Sequence, residues 1–385
     1  MKSLFRSLLG FFIALAGIII LIEITLWLFH REGPEPTLSL TMKQTDLGEN
    51  PGVKPEIIYK QNELGLRGLS FNNPVKPAKT VRILVLGGAL ANLPAQNIAD
   101  TWLAKLEQKL NEKWKETGWQ SEIASYGTPR IPSQEFVRWY REIGSGYKPD
   151  VVMTCLGIDD LLQSEKWLNE GITPTSLAEY CRKPYRFGLV TLSKTSQVYR
   201  HYHDLKIKRQ FIESLEKTKK QNPFLVDLHK QQQGYSQLPV LTSFPLSKEK
   251  QELFEATTKE IFDEITKSGA HPIAIGVPTL QNINLSTAAQ SRLRLAVPIM
   301  NPQDKTLSLK RMIPGDFRKE LGSYNLISKT QSEAKGGNYI DLFNQLESNE
   351  INFLDDEIPT DAGNANIADL LFKGLEPTLK AKFIK

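Results

Sequence analysis

Arg82-Ile-Leu-Val-Leu-Gly87 decides how the rest of this 385-residue chain is read. Its aliphatic run, bounded by a charge and a glycine, is too short for a core helix and lacks the alternation of a half-wet strand. It suits a strand covered on both faces, as in a parallel sheet. Downstream, Asn97 stands where a helix would be capped, and Ile98, Trp102, Leu106, Leu110 and Trp114 form a buried helical stripe. The alternation then repeats. Glu122–Tyr126 reads as a second strand stopped by Gly127 and Pro129, Phe136–Ile143 as a helix, and Asp150–Leu156 as a third strand. Residues 247–268 carry Leu253, Phe254, Ile261, Phe262 and Ile265 on one helical face. Pro272–Val277 reads as a fourth strand, residues near 316–335 as a helix, Tyr339–Phe343 as a fifth strand, and Ile367–Leu375 as the start of a last helix.

Strands alternating with helices predict an α/β fold, a three-layer flavodoxin-like sandwich around a five-stranded parallel sheet. Residues 81–380 are expected to form this domain. Two segments stand outside the alternation: residues 165–245, rich in Lys, Arg and Gln, read as an insertion, and residues 280–312 as a lid or rim loop beside the site. No internal repeat is visible.

Residues 1–31 predict a membrane anchor. Lys2 and Arg6 precede an apolar stretch from Leu8 to Phe29, interrupted by Glu23 and Thr25, that is long enough to span a bilayer. No small-residue cleavage site follows it, which favours an uncleaved transmembrane helix. Arg31 on the far flank is balanced by Glu32 and Glu35, so the positive-inside rule places the bulk of the chain outside the cytoplasm, periplasmic or extracellular. Residues 32–80, with their Pro, Gly, Asn and Lys, read as a stalk and domain lead-in. The net charge of +5 is too modest for this length to argue for a nucleic-acid partner. Cys155 and Cys181 lack metal-ligand spacing, and the apolar run around Cys155 favours a core residue over a bridge between them. No cofactor or metal is called for.

Ligands of open α/β sheets bind beyond the carboxyl ends of the strands. Four segments should meet there: Gly87-Gly-Ala-Leu90, Tyr126-Gly-Thr-Pro129, Leu156-Gly-Ile-Asp-Asp160 and Phe353-Leu-Asp-Asp-Glu-Ile-Pro-Thr-Asp-Ala-Gly-Asn364. Their order and spacing resemble the four blocks of the SGNH (GDSL-type) hydrolase superfamily. Asn62-Glu-Leu-Gly-Leu-Arg-Gly68 is similar to a lead-in common in its membrane-anchored bacterial members, and Tyr324-Asn325 and Tyr339–Leu342 resemble the run before the last block.

The resemblance implies a serine nucleophile in the first block, a glycine N–H and an asparagine amide for the oxyanion hole in the second and third, and an aspartate–histidine pair in the last. Here those positions read Ala89, Gly127, Asp159, Asp355 and Ile358. Alanine cannot attack and isoleucine cannot take a proton. An ionised Asp159 accepts hydrogen bonds where a donor is needed. The resemblance therefore implies a pseudohydrolase that binds or scaffolds a surface glycan or acyl-carbohydrate, beside a membrane acyltransferase or envelope-assembly partner. The competing reading is an active esterase or O-acyltransferase with relocated residues, for which Ser125, Thr128, Thr360 and Cys155 are the nearby nucleophile types.

None of the five histidines, His30, His201, His203, His229 and His271, is placed at a strand's carboxyl end. Asp159, Asp160, Asp355, Asp356 and Glu357 either converge as an acidic pocket, with Thr360 at its edge, or divide into a helix cap, a remnant and solvated groups. Lys206, Lys208, Arg209, Lys217, Lys219 and Lys220 read as a wet helix face or a docking surface for anionic head groups.

Overall fold

The computed structural model describes Gly17, Ile18, Leu21 and residues 37–43, 56–62, 65–71, 76–93, 96–129, 131–162, 235–242, 248–300 and 307–384. Most of the apolar stretch 8–29, most of the 165–245 insertion with its basic cluster, Cys181, and His30, His201, His203 and His229 lie outside the described residues. Among the described residues no helix is long and apolar enough to cross a membrane.

The expected strands are β4 (Thr80–Gly87), β5 (Gln120–Gly127), β6 (Val151–Cys155), β7 (His271–Ile275) and β10 (Asn338–Ile340). They pair in parallel in the spatial order β10-β7-β6-β4-β5. This is the flavodoxin-like order, with its switch point between β4 and β6. Every residue of β4 is buried, which is why its sequence is apolar without alternation.

The sheet is nevertheless mixed and six-stranded, which corrects the five-stranded, all-parallel expectation. Residues Leu66–Gly68 (β3) add an antiparallel edge to β5, with Leu66 opposite Tyr126. Three residues are too few to show a period. A hairpin, β1 (Thr37–Lys43) with β2 (Glu56–Asn62), precedes this edge where a stalk was expected.

Helices α2 (Trp102–Trp114) and α9 (Asp361–Phe383) pack together as one covering layer. The other layer is α3 (Ser133–Glu142), α5 (Lys248–Lys267) and α7 (Pro314–Ala334). Trp102, Leu106, Leu110 and Trp114 are buried on α2 as their spacing predicts, and Phe254, Ile261, Phe262 and Ile265 likewise on α5, whereas Ile98 is half-buried in a turn ahead of α2 and Leu253 is 39% exposed. The 280–312 insertion is more ordered than a rim loop. It holds one turn of helix, α6 (Thr287–Gln290), and an antiparallel hairpin of β8 (Ala296–Met300) and β9 (Leu307–Arg311).

Candidate functional site

The sequence puts Gly88 and Ala89 at the carboxyl end of β4, and the chain turns there into α1 (Ala89–Asn92). Two buried polar contacts frame this turn. The Arg67 guanidinium, from β3, donates to the carbonyls of Asn92, Leu93 and Gln96. Asn364 accepts from the Trp102 N–H at 2.9 Å and donates to Gln96 Oε1 at 2.8 Å, while Gln96 donates to the Pro359 carbonyl. These bonds tie the segment that follows α1 to the segment that leads into the last helix.

Gly127 is required by close approach. A Cβ there would lie 2.3 Å from the Asn92 nitrogen. Asn92 in turn donates from Nδ2 to the Gly127 carbonyl at 2.5 Å. Gly127 thus packs beneath α1 and is not among the residues lining the cleft beside Ala89.

That cleft lies at the switch point between β4 and β6. Ala89, Cys155, Asp159 and Glu357 line it with the apolar Leu90, Ile158 and Val277, and its volume is about 10 Å³, room for about one water. Gly157, at φ 119°, turns the chain from β6 into α4 (Ile158–Leu162), which carries Asp159. The Asp159 carboxylate lies directly on Gly88: a Cβ at position 88 would meet its Oδ2 at 1.9 Å. The residue of the last block that shares the cleft with Ala89 is Glu357. Ile358, half-buried, is held through its backbone, its N–H donating to Asp355 Oδ1 at 2.7 Å and its carbonyl accepting from Leu354 at 2.8 Å.

The five acids do not form one pocket. Asp160 reaches beyond its own helix. Its two oxygens accept from the Ser133 N–H at 2.9 Å and Oγ at 2.6 Å, holding the start of α3, and burial pushes its pKa up. Asp355 spends one oxygen on the N–H groups of Glu357 and Ile358, an Asx-type turn. Asp356 is buried. It accepts from Gln281 Nε2 and the Arg294 N–H at 2.5 Å each and from the Leu295 N–H at 2.9 Å. Burial first, then the neighbouring Asp355, raises its pKa to about 7. Thr360 caps α9, accepting from the Gly363 N–H at 2.9 Å. Asp160, Asp356 and Thr360 therefore brace the fold and do not line the cleft, because each has a backbone donor to satisfy. Among the described residues no group of three or more His, Cys, Asp and Glu side chains is arranged to hold a metal ion.

Of the remaining nucleophile types, Thr128 is half-buried just after β5, its N–H donating to the Gly87 carbonyl at 3.0 Å. Ser125 is fully buried and donates to the Ala91 carbonyl at 2.7 Å. Cys155 is a free thiol on the cleft wall whose pKa burial pushes up, which keeps it from the reactive thiolate form. His271 begins β7 at the opposite, amino end of the sheet, bonded to Asn338 at 2.7 Å.

A second concavity escaped the sequence reading. A cavity of about 420 Å³ opens between residues 235–240, the 282–294 segment and the start of α7, with Tyr235, Arg294 and Arg311 among its walls. Its parts lie far apart in sequence and share no spacing. Only the place of 280–312 outside the strand–helix alternation hinted at it.

No family model and no curated protein matches this chain. Among solved structures it is similar to the acetyl xylan esterase AlAXEase, at 11% identity and a TM-score of 0.40, over 77% of this chain and 100% of that one. It is also similar to a variant of Axe2, an acetyl xylan esterase from Geobacillus stearothermophilus, at 12% identity and a TM-score of 0.41, over 78% and 96%. A GDSL-like lipase from Bacteroides thetaiotaomicron is similar at 10% identity and a TM-score of 0.36, over 77% and 89%.

Proposed function

We propose that this chain is an SGNH-type protein without hydrolase activity, anchored in the cell membrane and facing outward. Its role is to bind or scaffold a surface glycan or acyl-carbohydrate beside a membrane acyltransferase or envelope-assembly partner. The observation that carries this reading is the Asp159 carboxylate seated on Gly88 next to Ala89. Where an ester hydrolase needs a hydroxyl and hydrogen-bond donors to a developing oxyanion, this cleft offers a methyl group and two carboxyl side chains. The relocated-residue reading loses Ser125 and Thr360 to structural hydrogen bonds and retains Thr128, half-buried, and Cys155, a buried thiol.

The test is hydrolysis of short-chain nitrophenyl esters by the full chain in detergent. The expected rate equals buffer. Ala89→Ser and Ile358→His alone add nothing, because residues of a catalytic unit act together, and only the combination with Asp159→Asn is a route to weak activity. Hydrolysis by the wild-type chain that disappears in Cys155→Ser overturns the reading. The anchor is tested separately with a reporter fused after Lys385, which should be active only outside the cytoplasm.

A further inference from the structure

The 420 Å³ cavity has the size of small-molecule sites, which run from about 300 to 1,000 Å³. Its chemistry is uneven. Most of its wall is apolar, including Leu285, Leu293 and Met312. Set in that wall are two half-buried guanidinium groups with spare donors. Arg294 uses Nη1 on the carbonyls of Ser291 and Leu293 at 2.6 Å each, while its Nε is buried without a partner among the described residues. Arg311 uses Nε on the Leu238 carbonyl at 2.9 Å, and its two terminal nitrogens have no acceptor among the described residues. Asp356 and Asp355 lie close enough to act on Arg294 electrostatically, yet neither arginine forms an ion pair among the described residues.

Cations drawn partly out of water into an apolar wall without a direct ion pair are costly, and an anion placed between them offsets that cost. The mouth adds a second observation. Val240, Ile283 and Ile313 are 48%, 79% and 36% exposed, so large aliphatic side chains in contact with water gather around this opening.

We propose that this cavity binds an amphiphilic anion, a carboxylate or phosphate on a single medium-length apolar body, with Arg294 and Arg311 taking the head and the aliphatic wall and mouth taking the body. The proposal is independent of whether the strand-end cleft is inert, because it uses none of that cleft's residues.

The test uses the full chain in nanodiscs of zwitterionic lipid, with calorimetric titration of octanoate, octyl phosphate and the neutral octanol. At least one octyl anion should bind saturably, and at least about tenfold more tightly than octanol, since a charge-assisted pair to arginine separates them. The double variant Arg294→Gln, Arg311→Gln should abolish that preference. Should it fail to fold, Ile283→Asp at the exposed mouth serves instead and should weaken the anion by several-fold without altering stability. A repeat in nanodiscs containing an anionic lipid identifies the source: loss of octyl-anion binding there means that the membrane lipid occupies the site, and unchanged binding means a free ligand. Equal binding of octanol and the octyl anions, absence of saturable binding, or affinities unmoved by both variants overturns the proposal.

Discussion

The strand-end cleft and the cavity beside the β8–β9 hairpin share one loop and differ in what they can hold. The cleft has a volume of about 10 Å³ and presents Asp159 and Glu357. The cavity has a volume of about 420 Å³ and presents Arg294 and Arg311. Residues 356 and 357 divide between them. Glu357 lines the cleft, while the Asp356 side chain reaches Gln281, Arg294 and Leu295 on the cavity side. The chain bends through residues 354–357, so one step in sequence separates two environments. Room for a ligand lies away from the strand-end segments that the sequence singles out.

The largest expected effect breaks the cavity and spares the cleft. Asp356→Ala strands one buried amide side chain and two backbone N–H groups, at a cost of about 3 kcal/mol or more. Urea denaturation checks this, and a loss below about 1 kcal/mol would mean that the carboxylate is not what holds the 281–295 segment.

Gly127→Ala tests the frame on the cleft side. Its Cβ meets backbone, the Asn92 nitrogen at 2.3 Å, so the α1 turn must move, at a cost of about 1–3 kcal/mol. An unchanged melting temperature would show that α1 gives way freely.

The pH dependence sharpens the same contrast. Asp356 and Glu107 both have folded-state pKa values raised to about 7, above the unfolded carboxyl values. Their contribution to stability is therefore fully present below about pH 4 and is lost as pH rises through about 7, because the unfolded state releases its protons first. Asp356→Asn should be less stable at low pH and show a shallower fall between pH 4 and 7 in a denaturation series. A slope equal to the wild type would assign the whole effect to Glu107.

Gly88→Ala carries the smallest effect. The added methyl meets the far end of a flexible side chain, Asp159 Oδ2, which can turn away, so the expected loss is about 1 kcal/mol or less. A loss matching that of Gly127→Ala would show that Asp159 is locked in place and that the cleft is rigid.

Much of the frame was legible beforehand because its signals are local. Ile83–Leu86 read as a doubly covered strand from four side chains, and the α2 stripe from Trp102 to Trp114 read from spacing alone. The candidate site was legible in its blocks but not in the roles of its acids. Asp160 stood where it would cap its own helix, and it also holds Ser133, which lies 27 residues earlier. No periodicity encodes which donor a carboxylate will find across the fold.

By itself the sequence determined the strand and helix succession and the absence of a hydroxyl at position 89 and of an imidazole at position 358. Periodicity and residue identity are properties of neighbouring positions, and no packing can supply an atom the side chain lacks. Only the tertiary structure decided the antiparallel edge at Leu66–Gly68, the seat of Asp159 on Gly88, the burial of Asp356 and the cavity holding Arg294 and Arg311. Each of these joins segments distant in the chain. Hydrogen-bond pairing, desolvation and enclosed volume arise only when such segments close on one another.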